Sequence, residues 1–293
     1  MAGEGYVTQA IRAMWHQTPV DCEPILGGMT SRAWLVGAAD GRYVAKLVPL
    51  RNRAQFEAGL AAAERLDRGG LPAGAPVRSQ SGALTESLDG GALGLLRFVP
   101  GRPADAGDPI DQQRWGDVLG TAHRILAGFT HPGLERWHWV RPEAPHLDLE
   151  PWLRPAVADA VAALSKLSIT DQLSYGVLHG DPAPDAVRLD VHTGRTGLID
   201  WGSVTAGPLA YDVASAVMYA GGPARATDLL EAYAAAGPMT GDEIDASLPT
   251  MLRFRWAVQA DWFARRIVDD DRTGIADPAE NWAGLRHAEA RLT

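Results

Sequence analysis

LHGDPAPDAVRLD, residues 178–190, and GLIDWGS, residues 197–203, each close a short apolar run on an acid. The first run ends in His179-Gly180-Asp181 and the second in Asp200, nineteen residues beyond Asp181. Two carboxylates delivered by neighbouring strand-like segments suit a general base beside a metal ligand. The loop after Asp181 adds two prolines, Pro182 and Pro184, and a third acid, Asp185.

Outward from these segments the pattern is helical. Trp115, Val118, Leu119, Ala122 and Ile125 form one stripe, and Val157, Val161, Leu164 and Leu167 another. Helices are expected over 209–219, 224–236 and 249–268. The first hundred residues read differently. After a short helix over 6–16, strands are expected near 24–27, 32–37 and 42–48, the last two joined by a tight Ala-Asp-Gly turn. Residues 53–68 space Phe56, Leu60, Ala63 and Leu66 as a helix stopped by Gly69-Gly70. Two more strands follow at 83–88 and 93–98. The turn-rich PGRPADAGDP, residues 100–109, is the expected lobe boundary. The fold class is therefore α+β: a small antiparallel β-sheet lobe with one helix over 1–99, and a larger, mainly helical lobe over 100–293.

Composition excludes several function classes. No apolar run approaches the roughly 18–20 residues of a membrane span, the N-terminal stretch lacks a signal pattern, and one cysteine, Cys22, leaves no disulfide framework. A cytoplasmic protein without membrane or nucleic-acid partners, monomeric or weakly dimeric, is expected. Net charge is −9, distributed unevenly: residues 1–100 carry 10 basic and 9 acidic side chains, the rest 17 and 27. That asymmetry suits an anionic ligand in the first lobe and a cationic one in the second. Only two of the 27 basic residues are lysines, Lys46 and Lys166, and Lys46 stands inside an apolar strand. A compact point charge there has a purpose that arginine's wide fork does not serve.

The chain has no G-x-x-x-x-G-K-[ST] and no G-x-G-x-x-G. It has, in order, a small-residue β-turn, a strand lysine, a helix acid, a hinge, a loop Asp and a second Asp. With LHGD, LIDWGS and the tail Gly207-Pro208 to Asp212, it resembles the aminoglycoside phosphotransferase and choline/homoserine-kinase-like family, closest to its actinobacterial antibiotic phosphotransferases. The resemblance spans nearly the whole chain and implies a protein-kinase-like two-lobe fold. It implies that Asp181 is the catalytic carboxylate, that Asp200 binds Mg²⁺, and that Lys46 contacts the phosphates of ATP or GTP. Glu57 is the expected partner of Lys46, with Glu64 as fallback. Thr30 and Ser31 are expected at the phosphates, and backbone groups of Arg97 and Val99 at the purine. His179 and Asp212 are expected to be structural.

One position breaks the pattern. Five residues after the catalytic Asp the family carries a metal-binding Asn, and here stands Ala186. Either Asp185 substitutes for it, or Asp185 faces solvent. For the acceptor, Asp148, Glu150, Asp261, Asp269 and Asp270, near Trp152, Trp256 and Trp262, could line an acidic aromatic cleft suited to an amine. The sequence thus points to a Mg²⁺-dependent O-phosphotransferase for a small cationic molecule, an aminoglycoside or basic peptide antibiotic. The alternatives are a metabolic kinase for homoserine, choline or a sugar-like acceptor, and a non-catalytic nucleotide-binding protein.

Overall fold

The computed structural model describes residues 4–26, 31–137 and 140–293. Helix α1 (Glu4–Trp15) leads into β1 (Pro19–Ile25), β2 (Arg32–Ala38) and β3 (Gly41–Pro49), followed by α2 (Arg53–Arg68), β4 (Pro76–Val77), β5 (Glu86–Leu88) and β6 (Gly91–Arg97). These strands form one antiparallel sheet in the order β1-β2-β3-β6-β4, with β5 also paired to β6. The β2–β3 hairpin turns on Ala39-Asp40, as the sequence predicts; β1 lies earlier than expected, and β5 is only three residues long.

Alternation along β3 decides which side chain reaches the cleft. Tyr43, Ala45 and Leu47 point into a core with Val7, Ile11 and Trp15 of α1. Lys46, of opposite phase, faces the other side, and its cross-strand partners are Ala33 and Gly94, which leave it room. Helix α2 lies over that side, burying Phe56 and Leu60.

Beyond the hinge come β7 (Arg102–Pro103), α3 (Pro109–Ile125), β8 (Glu135–Arg136), α4 (Leu153–Thr170), β9 (Tyr175–Leu178), β10 (Val187–Leu189), β11 (Thr196–Leu198) and β12 (Thr205–Pro208). Helices α5 (Ala210–Tyr219), α6 (Thr227–Ala236), α7 (Gly241–Val268) and α8 (Ala279–Leu292) complete the chain. Two small sheets, β11-β10-β7 and β8-β12-β9, hold the acidic segments among the helices. Helix α7 begins earlier than expected and runs through Pro249 for 28 residues, about 42 Å at 1.5 Å per residue.

The lobes share a core. Ala58, Ala62, Ala63 and Leu66 of α2 join the large helical cluster. A Cβ at Gly59 would stand 2.0 Å from the Trp201 carbonyl oxygen, so α2 rests directly on the turn after Asp200. Only glycine permits that approach.

Candidate active site

The His-Gly-Asp loop is held by one buried carboxylate. Asp212, fully buried in α5, accepts the backbone N–H of His179 at 2.6 Å and of Gly180 at 3.0 Å. Its Oδ2 also lies 3.1 Å from Nε2 of His123, whose Nδ1 meets the Tyr233 hydroxyl at 2.8 Å. His179 is buried too. Its Nε2 donates to Ile199 O at 2.8 Å and its Nδ1 accepts from the Asp181 N–H at 3.3 Å. Both ring nitrogens are thus spent on the loop and on the strand end before Asp200, which is the structural role the sequence suggests. Gly180 has φ of 87°, and a Cβ there would meet Ser203 O at 2.3 Å. The glycine in His-Gly-Asp is therefore a backbone requirement. The two prolines lack N–H groups but serve as acceptors: Pro182 O takes the Trp115 indole N–H at 3.1 Å and Pro184 O the Ala104 N–H at 3.1 Å.

The Asp181 carboxylate, half-exposed, stands clear of that scaffold. Its Oδ1 accepts the Tyr219 hydroxyl at 2.6 Å and lies 3.4 Å from Nη2 of Arg255. Arg255 is buried in α7, and its Nε donates to Ser215 Oγ at 3.0 Å. Burial, reinforced by the Asp181 charge, raises the Tyr219 phenol far above its ordinary pKa, so it donates at neutral pH. Sequence reasoning missed both residues. The signal was present: Asp212, Ser215 and Tyr219 recur at i, i+3 and i+7 on an otherwise apolar helix, one polar stripe facing the loop.

Across the cleft, Lys46 Nζ pairs with Asp200 Oδ1. The surrounding protein works to raise the Asp200 pKa, but the Lys46 ammonium outweighs it and holds the carboxyl below its usual range. Asp200 sits at φ 66°, ψ 55°, a left-handed conformation uncommon outside glycine and tolerated by Asp. A Cβ at Gly202 would lie 3.3 Å from Lys46 Nζ and 3.4 Å from Asp200 Oδ1, so the bare glycine keeps the space beside the pair open. A cavity of about 90 Å³ adjoins it, lined by Lys46, Gln55, Phe56 and Gly202.

The expected Lys46–Glu57 pair is not formed. Glu57 takes Arg53 at 2.9 Å and the Thr85 hydroxyl at 2.5 Å, and the fallback Glu64 takes Arg68 and Arg78, each at 3.0 Å. Both helix acids thus have nearer partners, and Asp200 neutralises Lys46 instead. Thr30 lies outside the described residues, and Ser31 stands partly buried just before β2. Arg97 ends β6 with its N–H donated to Ala75 O at 2.9 Å, and Val99 follows in the hinge.

Ala186, in the position of the family's Asn, is buried in the helical core. Its carbonyl accepts the Ile199 N–H at 2.8 Å, one step beyond the Val187–Leu198 pair of β10 and β11. Asp185, exposed, sits just before Ala186 in a single 3-10 turn, Pro184–Ala186, and the charge it acts on is Arg188. Among the described residues no group of three or more His, Cys, Asp or Glu gathers as a metal cage. A hard carboxylate such as Asp200 suits Mg²⁺, which takes one or two protein carboxylates and fills its shell with phosphate and water.

The expected acceptor acids do not gather at Asp181. Asp261 pairs with His146 at 2.7 Å, and Asp148 with Arg154 at 2.6 Å. Asp269 caps the C-terminus of α7, fourteen residues or about 21 Å along the axis from Arg255. Asp270 is bound to Arg272 at 2.9 Å, and Glu150 is partly buried beside the start of α4. Trp256 is buried in the core, Trp152 packs against it, and Trp262 lies under Arg266. Neighbouring cations and helix ends account for these side chains, and an acidic aromatic cleft is not what they build.

Comparison with known proteins agrees with this geometry. A model of the phosphotransferase enzyme family matches residues 21–244. A homoserine kinase of Methylobacillus flagellatus is 28% identical over 259 residues, spanning 84% of this chain and 79% of its own. An amicoumacin kinase solved with AMP-PNP and Ca²⁺ superposes with a TM-score of 0.76 at 17% identity, over 99% of this chain and 92% of its own. A microcompartment-associated aminopropanol kinase gives 0.77 at 14% identity, over 98% and 94%. At those identities the structural likeness is one of fold.

Proposed function

We propose, because the chain belongs to the phosphotransferase enzyme family, that it transfers the γ-phosphoryl group of Mg²⁺-bound ATP to the hydroxyl of a small amino acid or amino alcohol such as homoserine. The observation that carries the acceptor reading is Arg255. The charge touching Asp181 is a buried guanidinium, and the acids Asp148, Asp261 and Asp270 are already paired. A polycationic antibiotic would meet a like charge at the catalytic carboxylate. A four-carbon hydroxylated amino acid carries a single ammonium balanced by its own carboxylate, so it brings no net like charge to Arg255, and the relative from Methylobacillus flagellatus bears the name homoserine kinase.

In this reading Asp181 orients the acceptor hydroxyl and takes its proton as the new oxygen–phosphorus bond forms and the bond to the nucleoside diphosphate breaks. Tyr219 and Arg255 fix the carboxylate by way of Oδ1 and leave Oδ2 for the hydroxyl. Lys46 turns from Asp200 to the phosphates, Asp200 and Asp185 hold the metal, and Ser31 and the hinge at Arg97 and Val99 border the nucleotide. Bound Mg²⁺ supplies neutralisation of the phosphate charge.

The test is a mass-spectrometric screen of purified protein with Mg²⁺ and ATP or GTP against L-homoserine, choline, 3-amino-1-propanol, hydroxylated sugars and aminoglycosides. The expected result is phosphorylated homoserine or amino alcohol, absent with Asp181→Asn. Phosphorylation of an aminoglycoside alone would overturn the acceptor reading.

A further inference from the structure

A cavity of about 450 Å³ opens between the start of α3, the end of α5 and the start of α6. Tyr219 is one of its walls, and the same side chain donates to Asp181. Asp181 does not itself line the cavity, so Tyr219 is the side chain the two share. The volume is ordinary for a small-molecule site, and the walls are firm: buried Gln112 donates to Ala106 O and to Arg225 O, each at 2.7 Å, tying the post-hinge connector to the loop before α6.

Two lining residues carry opposite charges, Arg225 and Asp228. They stand three residues apart and do not pair with each other. Arg225 makes no ion pair among the described residues, and Asp228 receives one neutral hydrogen bond, from the Gln113 amide at 2.8 Å. Asp111 with Arg102 and Asp271 with Arg266 are, by contrast, paired directly. Apart from Pro109 and Thr227 the remaining lining is small: Ala106, Gly107, Ala220, Gly221 and Ala224. An open cavity with one cation and one anion on its rim, and little bulk between, matches a compact ligand that bears both charges.

We infer that this cavity is the acceptor subsite and that it selects a zwitterion, Arg225 receiving the α-carboxylate and Asp228 the α-ammonium, with the side-chain hydroxyl directed past Tyr219 to Asp181. The inference rests on the amino-acid-acceptor reading and adds the residues that would impose it.

Three alcohols separate the charges: L-homoserine has both, 3-amino-1-propanol lacks the carboxylate, and 4-hydroxybutyrate lacks the amine. The measurement is kcat/KM for each, with ATP and Mg²⁺, in wild type, Arg225→Ala and Asp228→Asn. In Arg225→Ala the preference for homoserine over 3-amino-1-propanol falls about tenfold, the loss expected of a charge-assisted hydrogen bond. In Asp228→Asn the preference for homoserine over 4-hydroxybutyrate falls similarly. Homoserine turnover with both ratios unchanged overturns the zwitterion site and leaves the acceptor reading standing. If wild type phosphorylates none of the three, calorimetric titration of L-homoserine into the AMP-PNP complex decides. Binding weakened about tenfold in Arg225→Ala upholds a zwitterion site in the cavity but overturns its role as acceptor subsite together with the acceptor reading, and no binding overturns all three.

Discussion

The Tyr219 hydroxyl donates to Asp181 Oδ1 at 2.6 Å, and seven residues earlier on the same helix face Asp212 holds the backbone of the loop that carries Asp181. One helix therefore sets both the path of the catalytic loop and the direction of its acid. Replacing Tyr219 by Phe keeps the ring and removes the donor. Asp181 then keeps only the 3.4 Å contact to Arg255. The expected outcome is a kcat lowered about tenfold, with KM for ATP unchanged and the melting temperature within a few degrees of wild type. Steady-state kinetics beside a thermal melt checks it; an equal rise in KM with kcat intact would make Tyr219 a binding wall only.

Asp212→Ala should act on stability first. The substitution strands two loop N–H groups and His123 in a fully buried place. Breaking such a network costs about 3–5 kcal/mol, a large part of the stability of a domain this size. Urea denaturation is expected to show an early transition, and Asp212→Asn to restore part of the loss by keeping one acceptor.

The physical reasons for what the sequence shows and hides differ by residue. Asp181, Asp200 and Lys46 stood out in the sequence because two of them follow short apolar runs and the third interrupts one, and the structure pairs Lys46 with Asp200. The β3 alternation and the α2 stripe were legible because period and burial coincide. Arg255 was hidden: on α7 it sits between Phe254 and Trp256, and nothing local says that its guanidinium turns inward to Ser215. Glu57 misled because helical spacing puts it within reach of several cations, and Arg53, one turn away, is the nearer. The acids of the second lobe misled for a related reason. Charge counted along the chain does not reveal that Asp261 bonds to His146 or that Arg154 pairs with Asp148 in space. The short strands from β7 to β12 are too brief to carry a period, and pairing alone defines them.

The link after the hinge supplies a pH prediction. Asp111, buried at the start of α3, accepts from Arg102 Nη2 at 2.8 Å and from the Asp105 N–H at 2.8 Å. The Arg102 hydrogen bond holds its carboxyl below the usual carboxylate range. A depressed native pKa contributes stability fully above the unfolded value, about 3.9, and loses it as pH falls through the folded value. Asp111→Asn is therefore expected to cost about 1 kcal/mol at neutral pH, a figure reduced by the exposure of Arg102. The gap to wild type should narrow below about pH 4. Paired urea titrations at pH 7 and pH 3.5 check it, and a gap that widens in acid would refute it.

Asp185 is the remaining question of the opening stretch. Ala186 is committed to the core, its carbonyl bonded to the Ile199 N–H, and Asp185 precedes it in the 3-10 turn Pro184–Ala186. The Pro182 and Pro184 carbonyls are anchored by Trp115 and Ala104, which fixes the turn carrying Asp185 from outside. Asp185 itself is exposed, and the charge it acts on within the chain is Arg188. Removing the acid leaves the fold untouched and, on the reading proposed above, withdraws one hard ligand from the metal. Asp185→Ala should thus raise the Mg²⁺ concentration for half-maximal activity about tenfold, with kcat at saturating Mg²⁺ reduced less. Asp185→Asn, keeping an oxygen ligand, should fall between the two. A Mg²⁺ titration that superposes for wild type and Asp185→Ala would show that Asp200 and the phosphates hold the metal alone, and that the loss of the family's Asn has no replacement in this loop.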